Sequence, residues 1–354
     1  MKNKIITFSF LGILFIFMIM HILFSDEIIS ITERRNLSSF PSFEFTSEYM
    51  NKVEKYLLDH FPFRDEFRKL KANFNYKVLG RYENNGIYLN EDGIYKSLYP
   101  TKEASIKKFN EKIEGLQSLL SENNKTYMMI VPDKNYYLKD KNFLHLDYNF
   151  MYDEVSKLNM EQIDLRDVLS TSDYYSTDTH WKQENLDKVV KHMNETMNFG
   201  YIEQDYEIHA FNEFYGVYYS EAANNMKPDT IKYLTNKIIN ESTVKYLEND
   251  KLTTVYNEGN LGSLDSYEVY LDGASSFIEI TNNNATTDKE LVIFRDSFAS
   301  SLTPLLINSY SKITLIDNRY ITSMVFKDLI EFNNQDVLFM FNTEIINNST
   351  ILRG

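Results

Sequence analysis

Leu291-Val-Ile-Phe-Arg-Asp-Ser-Phe-Ala-Ser-Ser-Leu-Thr-Pro-Leu-Leu306 sets the architecture of this chain. Residues 291–294 are all apolar, with β-branched Val292 and Ile293 at the centre, the composition of a strand buried on both faces. Phe298 onward reads as a helix, so Arg295-Asp296-Ser297 is a sharp strand-to-helix junction. A serine there is held exposed, beside helix N-terminal N–H groups able to receive a developing oxyanion. Asp296 or Ser297 is equally a natural N-cap for the helix. The two roles are compatible, because a nucleophile at a helix start uses the geometry of a cap.

The same rhythm extends on both sides of this junction. Strands are expected at 126–131, 163–165, 290–294, 312–316 and 337–341. Helices are expected at 102–121, 181–199, from 298 and at 323–332. In the first of these helices Ile106, Phe109, Ile113, Leu116 and Leu120 fall in phase. Strands alternating with helices at these lengths imply an α/β fold with a largely parallel sheet covered on both faces. Nearer the N-terminus, 47–58 reads as one helix. A second begins about Asp65 and carries Phe67, Leu70, Phe74 and Val78; a hairpin follows at 86–95 with its turn at 90–93. Residues 205–285 break the rhythm with short alternating runs rich in Asn, Tyr and Thr, and are expected to form a β-rich insertion.

The chain has 354 residues, 43% hydrophobic and 15% aromatic, enough for a sizeable packed core. A net charge of -14 with no basic arm argues against a nucleic-acid partner and fits a neutral, polyhydroxylated ligand better than a polyanion. The absence of cysteine excludes a thiol nucleophile, a zinc ribbon and a disulfide framework. Residues 5–24 are almost unbroken apolar sequence, long enough to span a bilayer as a helix. Lys2 and Lys4 precede them and Asp26 and Glu27 follow, a charge order that places the remainder outside the cytoplasm. No small-x-small cleavage pattern precedes Ser25, so the segment reads as a retained signal-anchor (1–24) rather than a cleaved leader. A juxtamembrane linker (25–43) and a catalytic body (44–354) are expected after it.

Asp178-Thr179-His180-Trp181 supplies what the Ser297 junction lacks. A carboxylate two residues before an imidazole can orient the ring from within one loop, and with Ser297 completes a Ser-His-Asp set. Asp178 or Thr179 could instead merely cap the helix expected next. A metal site built on Asp178 and His180 is a poorer reading, because no further spaced ligand motif completes it.

Tyr174-Tyr-Ser-Thr-Asp-Thr-His-Trp181 followed by Ile293-Phe-Arg-Asp-Ser-Phe298 resembles the DHHW family, which is similar to the alginate O-acetyltransferase group of SGNH-hydrolase-like proteins. Asp59-His60-Phe61-Pro62-Phe63-Arg64-Asp65, Val131-Pro132-Asp133-Lys134-Asn135-Tyr136 and Phe214-Tyr215-Gly216 extend the resemblance over nearly the whole chain. It departs at Thr179, where the family has its first histidine, and at Arg295, where ordinary esterases carry glycine.

The resemblance implies an SGNH-hydrolase-like, flavodoxin-like sheet with the motif order permuted, Asp and His preceding Ser. It implies Ser297 as nucleophile, His180 as general base and acid, and Asp178 as its orienting partner, with no metal and no cofactor. Gly216 and the Ser297 main chain are assigned to the oxyanion, with Arg319 and Trp181 as substrate contacts. The implied activity is O-acetyl transfer to, or acetyl ester cleavage from, a secreted or cell-wall polysaccharide outside the cytoplasm, with a membrane-bound acyltransferase as acetyl donor. The alternative is a catalytically silent glycan-binding scaffold of a polysaccharide export machine, which the intact Asp178, His180 and Ser297 disfavour.

Overall fold

The computed structural model describes residues 2–23, 27–30, 33–81, 83–84, 86–138, 143–223, 226–247 and 249–353. The expected anchor–linker boundary at 24/25 lies outside them. The chain divides into two compact units, residues 1–85 with 219–227, and residues 86–218 with 228–354.

The larger unit is built on an eight-stranded sheet. In chain order its strands are β1 (Lys125–Val131), β2 (Glu161–Asp164), β3 (Thr243–Tyr246), β4 (Asn249–Thr253), β5 (Phe277–Thr281), β6 (Glu290–Arg295), β7 (Lys312–Ile316) and β8 (Asp336–Asn342). Their spatial order is β4-β3-β5-β7-β6-β8-β1-β2. From β7 to β2 every pairing is parallel. From β4 to β7 every pairing is antiparallel.

Strict alternation divides each central strand between two cores. Leu291 and Ile293 of β6 face one side with Leu338 and Met340 of β8. Val292 and Phe294 face the other with Val337, Phe339 and Phe341. Burial on both faces is why these strands read as continuous apolar runs. The first core is closed by Val189, Val190, Met193 and Met197 of the Asp187–Met197 helix and by Leu302 and Leu305 of the Phe298–Leu306 helix. The second is closed by Ile106, Phe109, Ile113 and Leu116, one stripe of the Glu103–Gln117 helix, and by the Tyr148–Val155 helix. The expected parallel sheet with helices on both faces is present.

The 205–285 segment is more closely woven into the body than its sequence suggests. Glu207–Phe214 and Asp229–Thr235 pair as a separate hairpin. The rest supplies β3, β4 and β5, because Val244, Ile278 and Ile280 continue the first core outward with period two. Three helices are shorter than their patterns, and the one expected at 102–121 spans Glu103–Gln117. The one expected at 181–199 starts only at Asp187, since Trp181 is drawn into a bridge with Tyr174. That expected at 323–332 is confined to Ser323–Phe326.

In the smaller unit the Ser47–Asp59 helix, capped by the Thr46 hydroxyl on Tyr49 N–H, is followed by a corner at Phe63 in the left-handed conformation (φ 60°). Arg64–Asn73 then runs on as a π-helical turn, Phe74–Val78. The corner is held by charge. Arg35 pairs with Asp59 at 2.5 Å, and Glu33 receives Arg64 at 2.7 Å and Arg68 at 3.3 Å. Hydrogen bonds from Arg35 and Ser38 hold the Asp59 carboxyl well below the usual carboxylate range.

Candidate active site

Ser297 sits where the sheet ends and the next helix begins. Its neighbours from Leu291 to Ala299 are all buried, and Ser297 alone in that run is partly exposed. Asp296 shapes the turn: Oδ1 accepts from Phe298 N–H at 3.0 Å and Oδ2 from Asn342 N–H at 2.6 Å, tying the junction to the end of β8. Burial pushes the Asp296 carboxyl up, against the opposing pull of Arg319 and these two N–H groups.

The floor beneath the junction is ionic. Arg295 is fully buried, with a 2.9 Å bond to Ser300 Oγ and Nε 4.0 Å from Asp317. Arg319 donates to Asp317 at 2.9 and 2.6 Å. Arg319, half-buried, is therefore held onto Asp317 at the edge of this charge set.

His180 and Asp178 arrive from a closed loop. Tyr174 and Trp181 bridge its base, and Tyr175 N–H donates to His180 O at 3.0 Å. Asp229 accepts from Ser176 N–H at 3.0 Å, Thr177 N–H at 2.7 Å and the Thr177 hydroxyl at 2.6 Å. From beneath, the fully enclosed Lys134 ammonium donates to the carbonyls of Tyr175 (3.0 Å), Ser176 (3.3 Å) and Asp178 (2.8 Å). Burial brings Lys134 down to about 7, although Asp178, Asp229 and Asp92 favour its charge. With its main chain so engaged, the loop presents side chains at fixed angles.

The three sequence-derived residues meet. His180 Nε2 lies 2.8 Å from Ser297 Oγ, and His180 Nδ1 lies 2.6 Å from Asp178 Oδ1. Asp178 Oδ1 also accepts from His180 N–H at 2.9 Å and Oδ2 from Val217 N–H at 2.8 Å. A carboxylate accepting at Nδ1 puts the ring proton there and leaves Nε2 free to accept from the serine. Such a set can withdraw a proton from Ser297 as its oxygen attacks a carbonyl carbon.

Tyr267 and Phe298 pack against the imidazole, Phe298 tilted with ring centres 4.9 Å apart. Tyr267 stacks flat against it, with ring centres 3.8 Å apart and planes 9° apart, and its hydroxyl bonds Ser301 Oγ at 2.8 Å. Trp181 lies beneath the site: fully buried, it donates from Nε1 to Ser301 Oγ at 2.9 Å and to Phe298 O at 3.1 Å. Ser301 is one helical turn beyond Ser297, so one hydroxyl links the nucleophile's helix to the residue after His180 and to the ring under it.

Gly216 is also close to the site, but its N–H donates to Thr177 Oγ1 at 3.0 Å. A Cβ there would fall inside the envelopes of Asp178 Cβ and Thr177 O, so only glycine fits. Among the described residues there is no group of three or more His, Asp or Glu side chains able to hold a metal ion.

Lys134, Asp229 and Tyr267 were not singled out from sequence. Lys134 lies within a run noted only for its resemblance, Asp229 belongs to no motif, and Tyr267 falls in a run that reads as a strand. The structure makes that run a 3-10 turn, Ser266–Val269, which aims the ring at the imidazole.

No family model and no curated protein sequence matches the chain. Solved structures do. The chain superposes on a DHHW family protein from Eubacterium siraeum with TM-score 0.63 at 19% identity, over 77% of this chain and 97% of the other. It superposes on Bacillus cereus PatB1 with TM-score 0.59 at 18% identity, over 77% and 98%. For PatB1 with a sulfonyl adduct the values are 0.58 and 17%, over 76% and 96%. This chain shares its fold with the DHHW family structure and with PatB1.

Proposed function

We propose that the protein is a serine-dependent O-acetyltransferase or acetylesterase that works through an acetyl-serine intermediate and acts on a polysaccharide outside the cytoplasm. The observation that carries this reading is the continuous hydrogen-bonded line from Asp178 through His180 to Ser297.

In the first half-reaction Ser297 Oγ attacks the acetyl carbonyl while His180 Nε2 takes its proton. The tetrahedral oxyanion faces the start of the Phe298–Leu306 helix, where a main-chain donor such as Ser297 N–H contributes roughly 3 kcal/mol in a preorganised site. The leaving group departs with the proton from His180, and the acetyl group remains on Ser297. In the second half-reaction a sugar hydroxyl gives its proton to His180 and attacks the acetyl carbon. Ser297 recovers its proton as the ester bond to it breaks. Water in place of the sugar makes the same cycle an esterase. Asp178 stays ionised throughout and stabilises the imidazolium.

The resemblance to the DHHW group supports the sugar acceptor, and an N-terminal helix long and apolar enough to cross a membrane supports single-pass attachment. An acetyl donor on the membrane, itself an acyltransferase, fits a body facing away from cytoplasmic acetyl-CoA.

The test is intact-mass spectrometry of the full chain after an activated acetyl ester, in parallel with a sulfonyl fluoride. Both reagents are expected to add one group at Ser297, and none in Ser297→Ala. Acetylated oligosaccharide in the presence of glycan acceptors distinguishes transfer from hydrolysis. Ester turnover at the wild-type rate in folded Ser297→Ala would refute the proposal. Folded wild-type protein inert to every ester would favour the silent glycan-binding alternative.

A further inference from the structure

The helical segment Arg64–Val78 is amphipathic in the wrong sense for a soluble protein. Phe63, Phe67, Leu70, Phe74 and Val78 recur at spacings of four, three, four and four, which places them on one face. That face is open: their exposures run from 45% for Phe67 to 67% for Val78. The side turned inward is polar or small, with Ala72 and Asn75 buried and Arg64 and Arg68 drawn onto Glu33. An apolar stripe of this kind left uncovered marks an interaction surface.

Two observations identify what covers it. The first is depth. The Lys2–Leu23 helix is the one described helix able to cross a membrane, and Phe17 within it stacks on Phe61 (centres 5.2 Å apart) and touches Phe67 (6.1 Å). His21 adds a 3.1 Å contact to His60 O. Phe17 is six residues from the end of its helix, about 9 Å inside it at ~1.5 Å rise per residue. Phe61 and Phe67 therefore stand at the level of the headgroup–acyl boundary, where an interfacial helix buries its apolar face by about 5–10 Å. The second is charge. Lys71, Lys77 and Arg81 are exposed along the same segment, although the chain as a whole carries -14. The acidic residues there are Glu66, exposed, and Asp65, half-buried near Arg64 and Arg68. Basic residues beside a Phe-rich stripe suit a surface of anionic lipid.

We infer that the Phe63–Val78 stripe lies in the membrane interface as a second contact with the bilayer, parallel to the surface and alongside the spanning helix. A single span leaves an attached body free to swivel. A second contact gives the 1–85 unit a fixed face toward the lipid.

The chain has no cysteine, so single-cysteine variants of the full-length protein carry one reporter each. Leu70→Cys, Phe74→Cys, Ile13→Cys and, as an aqueous control, Lys157→Cys are labelled with an environment-sensitive fluorophore. They are reconstituted in nanodiscs of phosphatidylcholine and phosphatidylglycerol, and circular dichroism checks their fold. Lipid spin-labelled near the headgroup end of the acyl chain is expected to quench positions 70 and 74 at least twofold, with iodide in the water nearly without effect. Position 157 is expected to behave in the opposite way. Quenching by iodide but not by lipid at 70 and 74, with 13 quenched by lipid, overturns the inference and leaves the span standing. Lipid quenching at 70 and 74 without it at 13 supports the stripe and removes the span. Protection from both quenchers at 70 and 74 means a protein surface, such as a second copy, covers the stripe, and overturns the inference.

Discussion

Replacing Asp178 by Asn changes charge and hydrogen-bond polarity at the site with almost no change in size. The carboxylate meets three donors: His180 N–H at 2.9 Å and Nδ1 at 2.6 Å on Oδ1, and Val217 N–H at 2.8 Å on Oδ2. A carboxylate accepts from all three, whereas a carboxamide has one oxygen and an NH2 that only donates. With its oxygen toward His180, the amide sets its NH2 against Val217 N–H. Turned round, it opposes the His180 main-chain N–H and obliges Nδ1 to accept, which moves the ring proton to Nε2. In that tautomer Nε2 cannot accept from Ser297 Oγ, 2.8 Å away. Losing the tautomer and the charge behind it lowers kcat by about 10⁴ in a serine triad. That is about 5.5 kcal/mol at ~1.36 kcal/mol per decade. The assay is initial-rate hydrolysis of 4-nitrophenyl acetate by the full chain, with KM expected to hold and circular dichroism to match wild type. A folded Asp178→Asn protein with kcat within about tenfold of wild type would refute the reasoning.

Tyr267→Phe keeps the stack on His180 and loses the Ser301 bond, so stability falls by about 1 kcal/mol with little change in kcat. Tyr267→Leu removes the ring and is expected to lower kcat more than it raises KM; equal effects of the two variants would assign the role to the hydroxyl. Gly216→Ala forces its methyl into Asp178 and Thr177, so both kcat and Tm fall, and an unchanged Tm in calorimetry would contradict the close approach. Lys134 sits at about 7 in the native protein against an ordinary 10.5. Between those values the unfolded chain holds a proton that the folded chain lacks, so stability gains up to about 1.4 kcal/mol per pH unit as pH rises from 7. Below pH 7 the cost of enclosing the charge is present in full. Lys134→Met removes that slope, and urea titrations of the two proteins that stay parallel from pH 7 to 9 would count against it.

Period-two and helical patterns make the central sheet legible because β7, β6, β8 and β1 are buried along most of their length with few polar positions to confuse them, whereas the edge strand β2 buries Ile163 alone. The opposite edge was harder to read. Thr253, Lys245 and Glu279 make β3 to β5 look like surface hairpins, and only long-range pairing joins them to β7. Asp178, His180 and Ser297 are findable because their residue types and local spacing carry chemistry. What supports them is not. Asp229 reaches the loop from 52 residues away, and Tyr267 reaches His180 across a turn with no distinctive composition. Trp181 illustrates a different limit. Next to a histidine it suggests a surface for sugar, yet its single donor is better satisfied inside, on Ser301 and Phe298.

The ionic floor under Ser297 has a consequence for how this site can vary. Arg295, Asp296 and Asp317 are buried and Arg319 is half-buried beside them, each electrostatically felt by others in the set. Deleting Asp317 strands the fully buried Arg295 guanidinium away from water, at a cost of roughly 3–5 kcal/mol. Deleting Asp317 and Arg295 together leaves the set neutral. Descendants of this sequence that lose Asp317 should therefore lose Arg295 as well, and the route between the two states runs through a compensated double change rather than through loss of the aspartate alone.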